Sequence, residues 1–117
     1  MLLWWVDDDD RLGRDARTAI ADGGSEVFVS TVSVWEVEIK RALGRMTAGE
    51  DLVHHVHINA FSALPIRFEH ATQVGRLPPV HRDPFDRMLV AQAQVEGLAI
   101  VTSDRAISRY PVAVLAA

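Results

Sequence analysis

HRDPFDRMLVAQAQVEGLAIVTSD, residues 81–104, decides the fold of this chain. Residues 84–96 predict a helix, because proline suits the first helical position and Gly97 ends the pattern. The apolar run at residues 98–102 follows the glycine directly and predicts a buried strand. A helix that leads straight into a strand is typical of an alternating α/β unit, whose strands pair in parallel beneath covering helices.

The rest of the chain continues this alternation. β-rich segments predict strands at 26–30, 61–66 and 112–115, and apolar spacing predicts helices at 11–21, 34–43, 51–60 and 69–77. Residues 2–6 are interpreted as the end of a buried helix, and the aspartates at 7–10 as the solvated turn after it. In such a fold the site lies at the carboxyl ends of the strands, where loops enter helices.

Composition excludes several classes of protein. The chain has 117 residues, 49% of them hydrophobic, and no cysteine, so we expect one buried core without disulfides or zinc–thiolate sites. No apolar run approaches the roughly 20 residues that span a bilayer, so we expect no membrane association and a cytoplasmic location. The formal net charge of −4 means that a nucleic acid would bind only at a local basic patch.

Three acidic residues stand where a strand or loop meets a helix: Glu36, Asp86 and Asp104. A parallel sheet gathers such positions at one edge. Clustered carboxylates favour a cation, and their hard oxygen atoms suit Mg²⁺ or Mn²⁺. An ion of this kind activates water for phosphodiester cleavage. Spacing alone does not establish a nuclease, because each acid also has a structural interpretation.

The structural interpretation is that the acids only cap and pair helices. SVWE (33–36) fits a capping box, and Glu36 stands four residues before Lys40, which is a favourable helix pair. Asp86 falls in the first turn of a predicted helix, and Asp104 suits the cap of a short following turn. A small α/β domain of this kind predicts no rise in melting temperature with a metal ion.

Other groups carry weaker indications. Arg82 and Arg87 flank Asp86 and are candidates for contacts with RNA phosphate, with pairing to nearby acids as the alternative. The three histidines between residues 54 and 57 are interpreted as a polar helix surface, and the N-terminal tryptophans as core or a subunit contact. The sequence has no glycine-rich phosphate loop, nucleophile elbow or zinc helix.

Together, SVWEVEIKRALGRM (33–46), the 81–104 segment and the closing strand resemble a PIN domain, specifically the VapC-like toxins of bacterial type II toxin–antitoxin systems. The resemblance covers essentially the whole chain. It implies a three-layer α/β fold, with a short parallel sheet flanked by helices, and a Mg²⁺- or Mn²⁺-dependent endoribonuclease that cuts structured RNA such as tRNA or ribosomal RNA. It also implies a homodimer and a cognate antitoxin. The family's catalytic and metal-binding acids fall on Glu36, Asp86 and Asp104, with Asp83 as a supporting neighbour.

The resemblance has one departure. Family members begin with an apolar strand that ends in an aspartate, followed by a helix similar to LLWW, so this chain is expected to start inside that helix. The single domain at 1–117 would then lack its first strand and its first catalytic aspartate. The aspartates at 7–10 do not replace that residue, because they come after the expected helix, whereas the family's aspartate precedes it. A start codon assigned too late explains this. A true truncation is the alternative and predicts a catalytically silent module that binds an antitoxin or partner without cleaving RNA.

Overall fold

A computed structural model describes residues 2–4, 26–44, 61–80, 83–102 and 106–116 of the chain. Several sequence predictions lie outside these residues and are not addressed by the structure: the helices at 11–21 and 51–60, the acidic run at 7–10, and the three histidines. No helix in the described ranges is both long and apolar enough to cross a membrane.

Five short strands form one sheet in the described part of the chain. They are β1 (Leu2–Trp4), β2 (Val27–Ser30), β3 (Ser62–Leu64), β4 (Ala99–Thr102) and β5 (Val114–Ala116). Their order across the sheet is β3-β2-β1-β4-β5, and every neighbouring pair is parallel. This arrangement confirms the predicted α/β class with a short parallel sheet.

The position of β1 corrects the interpretation of the first residues. The sequence predicts the end of a helix at residues 2–6 and a sheet without its first strand, and both predictions are wrong. Leu2–Trp4 is a strand between β2 and β4, with Leu2 opposite Val27 on one side and Ala99 on the other. A strand buried in a parallel sheet and a buried helix segment both read as a continuous apolar run, so periodicity does not separate them.

The helices of the described residues are α1 (Thr31–Ala42), α2 (Phe68–Val74) and α3 (Pro84–Glu96), with a short 3₁₀ helix at Ile107–Arg109. α3 has the bounds predicted from sequence. The Asp83 side chain accepts a hydrogen bond from the backbone nitrogen of Phe85 at 2.9 Å, and Gly97 takes the left-handed φ of 68° that ends the helix. The local signals at both ends of α3 are therefore sufficient to place it.

α1 begins at Thr31 rather than at residue 34, because its N-cap is Ser30. The Ser30 side chain accepts a hydrogen bond from the backbone nitrogen of Val32 at 3.1 Å. The capping box predicted at residues 33–36 is therefore wrong. Ser33 and Glu36 lie inside the helix, where both side chains are buried.

The apolar core packs around α3. Every residue from Leu89 to Ala93 is buried, so this part of the helix is enclosed on all sides. The core cluster consists of Val32, Leu64, Leu77, Leu89, Val90, Ala91, Ala93, Leu98, Ile100, Ile107 and Tyr110. One of the enclosed α3 residues, Gln92, is polar and requires hydrogen-bond partners at this depth.

Gln92 finds its partners at the end of β2 and just after β3. The Ser30 hydroxyl donates to Gln92 Oε1, and Gln92 Nε2 donates to the carbonyl oxygen of Pro65 at 3.3 Å. Ser30 thus caps α1 and also binds α3. This connection fixes the start of α1 against the middle of α3.

A second buried polar residue, His70, lies beside this connection. Its Nδ1 accepts from the backbone nitrogen of Arg67 at 3.0 Å, so Nε2 carries the proton and donates to Glu96 Oε1 at 2.9 Å. His70 is fully buried, and its side chain satisfies one of the free backbone donors at the start of α2. The short helix α2 is thereby anchored to the end of α3.

Candidate active site

Two of the predicted acids lie near the starts of neighbouring helices. Glu36 is in the second turn of α1 and Asp86 in the first turn of α3. α1 continues directly from the carboxyl end of β2, and α3 runs back towards the beginning of β4, so both helix starts lie at the carboxyl edge of the sheet. The two helices contact one another. This is the edge where parallel α/β folds place their sites.

An aromatic contact joins the two acid-bearing turns. Trp35 precedes Glu36 and Phe85 precedes Asp86, and the two rings meet edge to face with centroids 4.8 Å apart and an interplanar angle of 77°. Such pairs contribute about 0.5–1.5 kcal/mol beyond their buried area. The contact packs the turns that carry the two acids against each other.

The Glu36 carboxylate is buried, and only one of its two oxygens has a partner among the described residues. Its side chain is 9% exposed, and Oε2 lies 3.3 Å from Lys40 Nζ, which confirms the predicted helix pair. No residue that the structure describes offers a hydrogen bond to Oε1. A buried polar atom without a partner costs about 1–3 kcal/mol, and more when it is charged. Oε1 is therefore the Glu36 oxygen that still has capacity for a hydrogen bond or a ligand among the described residues.

Glu36 opens onto a pocket of about 420 Å³ between α1 and the start of α3. Asp83 also lines this pocket, so the structure brings two of the predicted site acids to one cleft. Asp83 Oδ1 accepts from the backbone nitrogens of Phe85 at 2.9 Å and Asp86 at 3.4 Å. It therefore caps the turn that carries Asp86, and its supporting role at the site stays a prediction.

The carboxylate oxygens of this cleft are the type of ligand that a divalent cation such as Mg²⁺ prefers. Mg²⁺ binds carboxylate oxygens, keeps several of its waters and needs only one or two carboxylates from the protein. Glu36 Oε1 is such an oxygen without a partner, and Asp83 adds a second carboxylate to the cleft. Within the described ranges no three His, Asp or Glu side chains come close enough to form a ligand group by themselves. Asp104, the third predicted ligand, lies outside those ranges.

The structure gives Arg87 a role inside the protein. Its guanidinium donates to the carbonyl oxygens of Pro78 at 3.0 Å and Val74 at 3.1 Å, and to the Tyr110 hydroxyl at 3.3 Å. Val74 is the last residue of α2, so Arg87 satisfies a carbonyl at a helix end. Arg82, the other predicted phosphate contact, is outside the described residues.

Arg87→Met is expected to lower the free energy of unfolding by about 2 kcal/mol, because it leaves carbonyl oxygens without their charged donor. Urea denaturation measures the loss. Arg76→Met is the matched control, since Arg76 is exposed on the turn after α2 and should change stability by less than about 0.5 kcal/mol. Wild-type stability in Arg87→Met, together with weaker RNA binding, would restore the phosphate role predicted from sequence.

A model of the PIN domain matches residues 1–113 of the sequence. The chain belongs to the PIN domain family. Members of this family are generally nucleases. No curated protein matches this PIN domain in sequence.

The fold of the PIN domain is similar to a solved one. A chain of the crystal structure of DNA-bound VapBC from Salmonella typhimurium matches with a TM-score of 0.64 and 17% sequence identity. The match covers 99% of this PIN domain and 98% of that chain. At this identity the likeness concerns the fold, and it confirms the PIN-like architecture predicted from sequence.

Two features of the site were missed in the sequence. The Trp35–Phe85 contact joins residues far apart in the chain, and no local pattern predicts it. Ser33 was interpreted as a cap, but it lies inside α1 one turn before Glu36, and no described residue is a partner for its hydroxyl. The spacing of Ser33 and Glu36 is the signal that places both side chains on one helix face.

Proposed function

We propose that this PIN domain is a VapC-like endoribonuclease toxin that depends on Mg²⁺ or Mn²⁺. The observation that supports this function best is the buried Glu36 carboxylate, whose Oε1 lacks a partner among the described residues. It opens onto a cleft shared with Asp83 at the carboxyl edge of the sheet. Membership of a family of nucleases supports the reaction class.

The proposed ligands of the cation are Glu36, Asp86 and Asp104. When bound, the cation supplies a nucleophilic water and neutralises charge on the phosphodiester. Burial and the ion pair with Lys40 hold Glu36 in place, and Oε1, which lacks a partner among the described residues, is the oxygen we propose for the cation. Asp83 holds the turn of Asp86 through backbone hydrogen bonds. Arg82 is the proposed phosphate contact, because the Arg87 guanidinium already donates hydrogen bonds to carbonyl oxygens of the protein.

Structured RNA such as tRNA or ribosomal RNA is the proposed substrate, and a cognate antitoxin and a second copy of the chain are the proposed partners. The similarity to a chain from a VapBC complex supports the antitoxin. Exposed aromatic side chains are available for such contacts: Trp35 is 57% exposed and Phe68 90% exposed. Trp35 and Phe85 line an apolar pocket of about 390 Å³ next to the carboxylate cleft.

This apolar pocket also favours the second candidate function, a PIN module that binds an antitoxin or another partner without cleaving RNA. The two functions differ in one measurement, which is divalent-metal-dependent cleavage of RNA by the purified chain. Cleavage that EDTA abolishes supports the endoribonuclease. Intact RNA after incubation with Mn²⁺, with antitoxin still bound by the same preparation, supports the silent module.

Asp86→Asn is expected to reduce Mn²⁺-dependent cleavage of bulk tRNA by at least about 100-fold, as when a group that stabilises the transition state is lost. The melting temperature should stay close to that of the wild type, because Asp83 caps α3 and is unchanged. Glu69→Gln is the matched control, an exposed acid in the first turn of α2. Full cleavage by Asp86→Asn would remove Asp86 from the site.

A further inference from the structure

Two serines near the start of α1 are equally buried but differ in their hydrogen bonds. Ser30 and Ser33 both have no exposed surface. The Ser30 hydroxyl accepts from the backbone nitrogen of Val32 and donates to Gln92 Oε1. The Ser33 hydroxyl has no hydrogen-bond partner in the part of the chain that the structure describes. The hydrogen bonds of the fold therefore account for the buried hydroxyl of Ser30 but not for that of Ser33.

A helical serine commonly donates to the carbonyl oxygen one turn earlier, which satisfies its hydroxyl without other residues. Ser33 does not do so. Buried hydroxyl groups without partners are rare in native proteins, and a bound water or ion is a common reason for them. The Ser33 hydroxyl therefore has room in its hydrogen bonding, within the described residues, for a bound water or ligand.

The position of Ser33 indicates what that group is. Residues three apart on a helix share one face, so Ser33 and Glu36 lie one above the other on α1. Glu36 Oε1 is also buried and also lacks a partner among the described residues. Two unpartnered oxygen atoms on adjacent turns of the same face are best satisfied by one hydrated ligand that both of them reach.

We propose that the Ser33 hydroxyl holds a water molecule of the divalent cation that Glu36 binds. Ser33 is then a positioning residue, which orients the hydration shell and does not coordinate the metal itself. Mg²⁺ and Mn²⁺ keep several waters in protein sites, and side chains that bind those waters contribute to metal affinity. This inference rests on the proposed function, because it requires a cation at Glu36.

The test compares Ser33→Ala with Ser30→Ala, each measured for Mn²⁺ affinity by electron paramagnetic resonance of free Mn²⁺ and for melting temperature in EDTA. Ser33→Ala is expected to weaken Mn²⁺ binding about 10- to 100-fold. Its melting temperature in EDTA should be unchanged or higher, because a buried hydroxyl without a partner is removed. Ser30→Ala is expected to show the opposite: a lower melting temperature in EDTA and Mn²⁺ affinity within about threefold of the wild type. Ser33→Thr, which keeps the hydroxyl, should retain most of the affinity.

The outcomes distinguish a failure of the role inferred for Ser33 from a failure of the proposed metal-dependent function. Wild-type Mn²⁺ affinity in Ser33→Ala, while Glu36→Gln loses binding, overturns the role of Ser33 and leaves the proposed cation site standing. A fall in the EDTA melting temperature of Ser33→Ala with unchanged Mn²⁺ affinity also overturns it, since that is the behaviour of a structural residue. No Mn²⁺ binding by the wild-type chain overturns both.

Discussion

Glu36→Gln is expected to remove metal-dependent cleavage and, with it, the rise in melting temperature that Mn²⁺ produces. Glutamine has the shape of glutamate but no charge, so the cleft loses its buried anionic ligand while the packing of α1 is kept. The cleavage rate should fall by at least about 100-fold. In EDTA the variant should be as stable as the wild type or more stable, because a neutral amide is less costly to bury than a carboxylate with one unpartnered oxygen.

Thermal unfolding with and without Mn²⁺, combined with a tRNA cleavage assay, measures both effects. Glu38→Gln is the matched control on the same helix. Its side chain is 62% exposed and lies 3.7 Å from Arg41, so it should behave as the wild type in both assays. If Glu36→Gln keeps its Mn²⁺-dependent stabilisation, Glu36 is not a metal ligand.

Gln92→Leu is expected to lower the free energy of unfolding by about 3 kcal/mol, the largest stability effect we predict. Leucine leaves the buried Ser30 hydroxyl without its acceptor, which costs about 1–3 kcal/mol, and it also removes the partly buried hydrogen bond to the Pro65 carbonyl. For a chain of this size the melting temperature should fall by about 10 °C. The connection between the start of α1 and the middle of α3 is the feature that this substitution removes.

A double-mutant cycle tests this explanation. Ser30→Ala combined with Gln92→Leu should cost less than the sum of the two single changes, because the alanine removes the hydroxyl that the leucine leaves without an acceptor. Urea denaturation of the four proteins gives the coupling energy. Additive losses would show that the Ser30–Gln92 contact contributes nothing to stability.

The parts of the fold that the sequence predicted well are those with local signals. The Asp83–Pro84 start and the Gly97 end of α3 both depend on neighbouring residues alone, and the structure has them at the predicted positions. The start of α1 depends on more than that. Ser30 and Ser33 both suit an N-cap, and Ser30 is selected because its hydroxyl also reaches Gln92 on another helix. A signal of that kind is not present in a local window of sequence.

The same distinction applies to the candidate site. The sequence indicated Glu36 and Asp83 by residue type and position, and the structure places both at one cleft. It did not indicate that one Glu36 oxygen is without a described partner, because burial of that atom depends on tertiary packing. Arg87 was interpreted from its neighbour Asp86, whereas its donors reach the end of α2. A long side chain binds the groups that lie near it in the folded protein, and spacing along the sequence does not show which groups these are.

The central place of β1 also determines when a working site can assemble during synthesis. Leu2–Trp4 leaves the ribosome well before its second neighbour, Ala99–Thr102, which is made only after α3. Pairing between such distant segments is slow, because a long loop must close before the contact forms. A nascent chain that stops short of β4 holds an incomplete sheet, with α3 lacking the strand that fixes it. A PIN domain built in this order stays without an assembled cleft until almost all of its described residues have been translated.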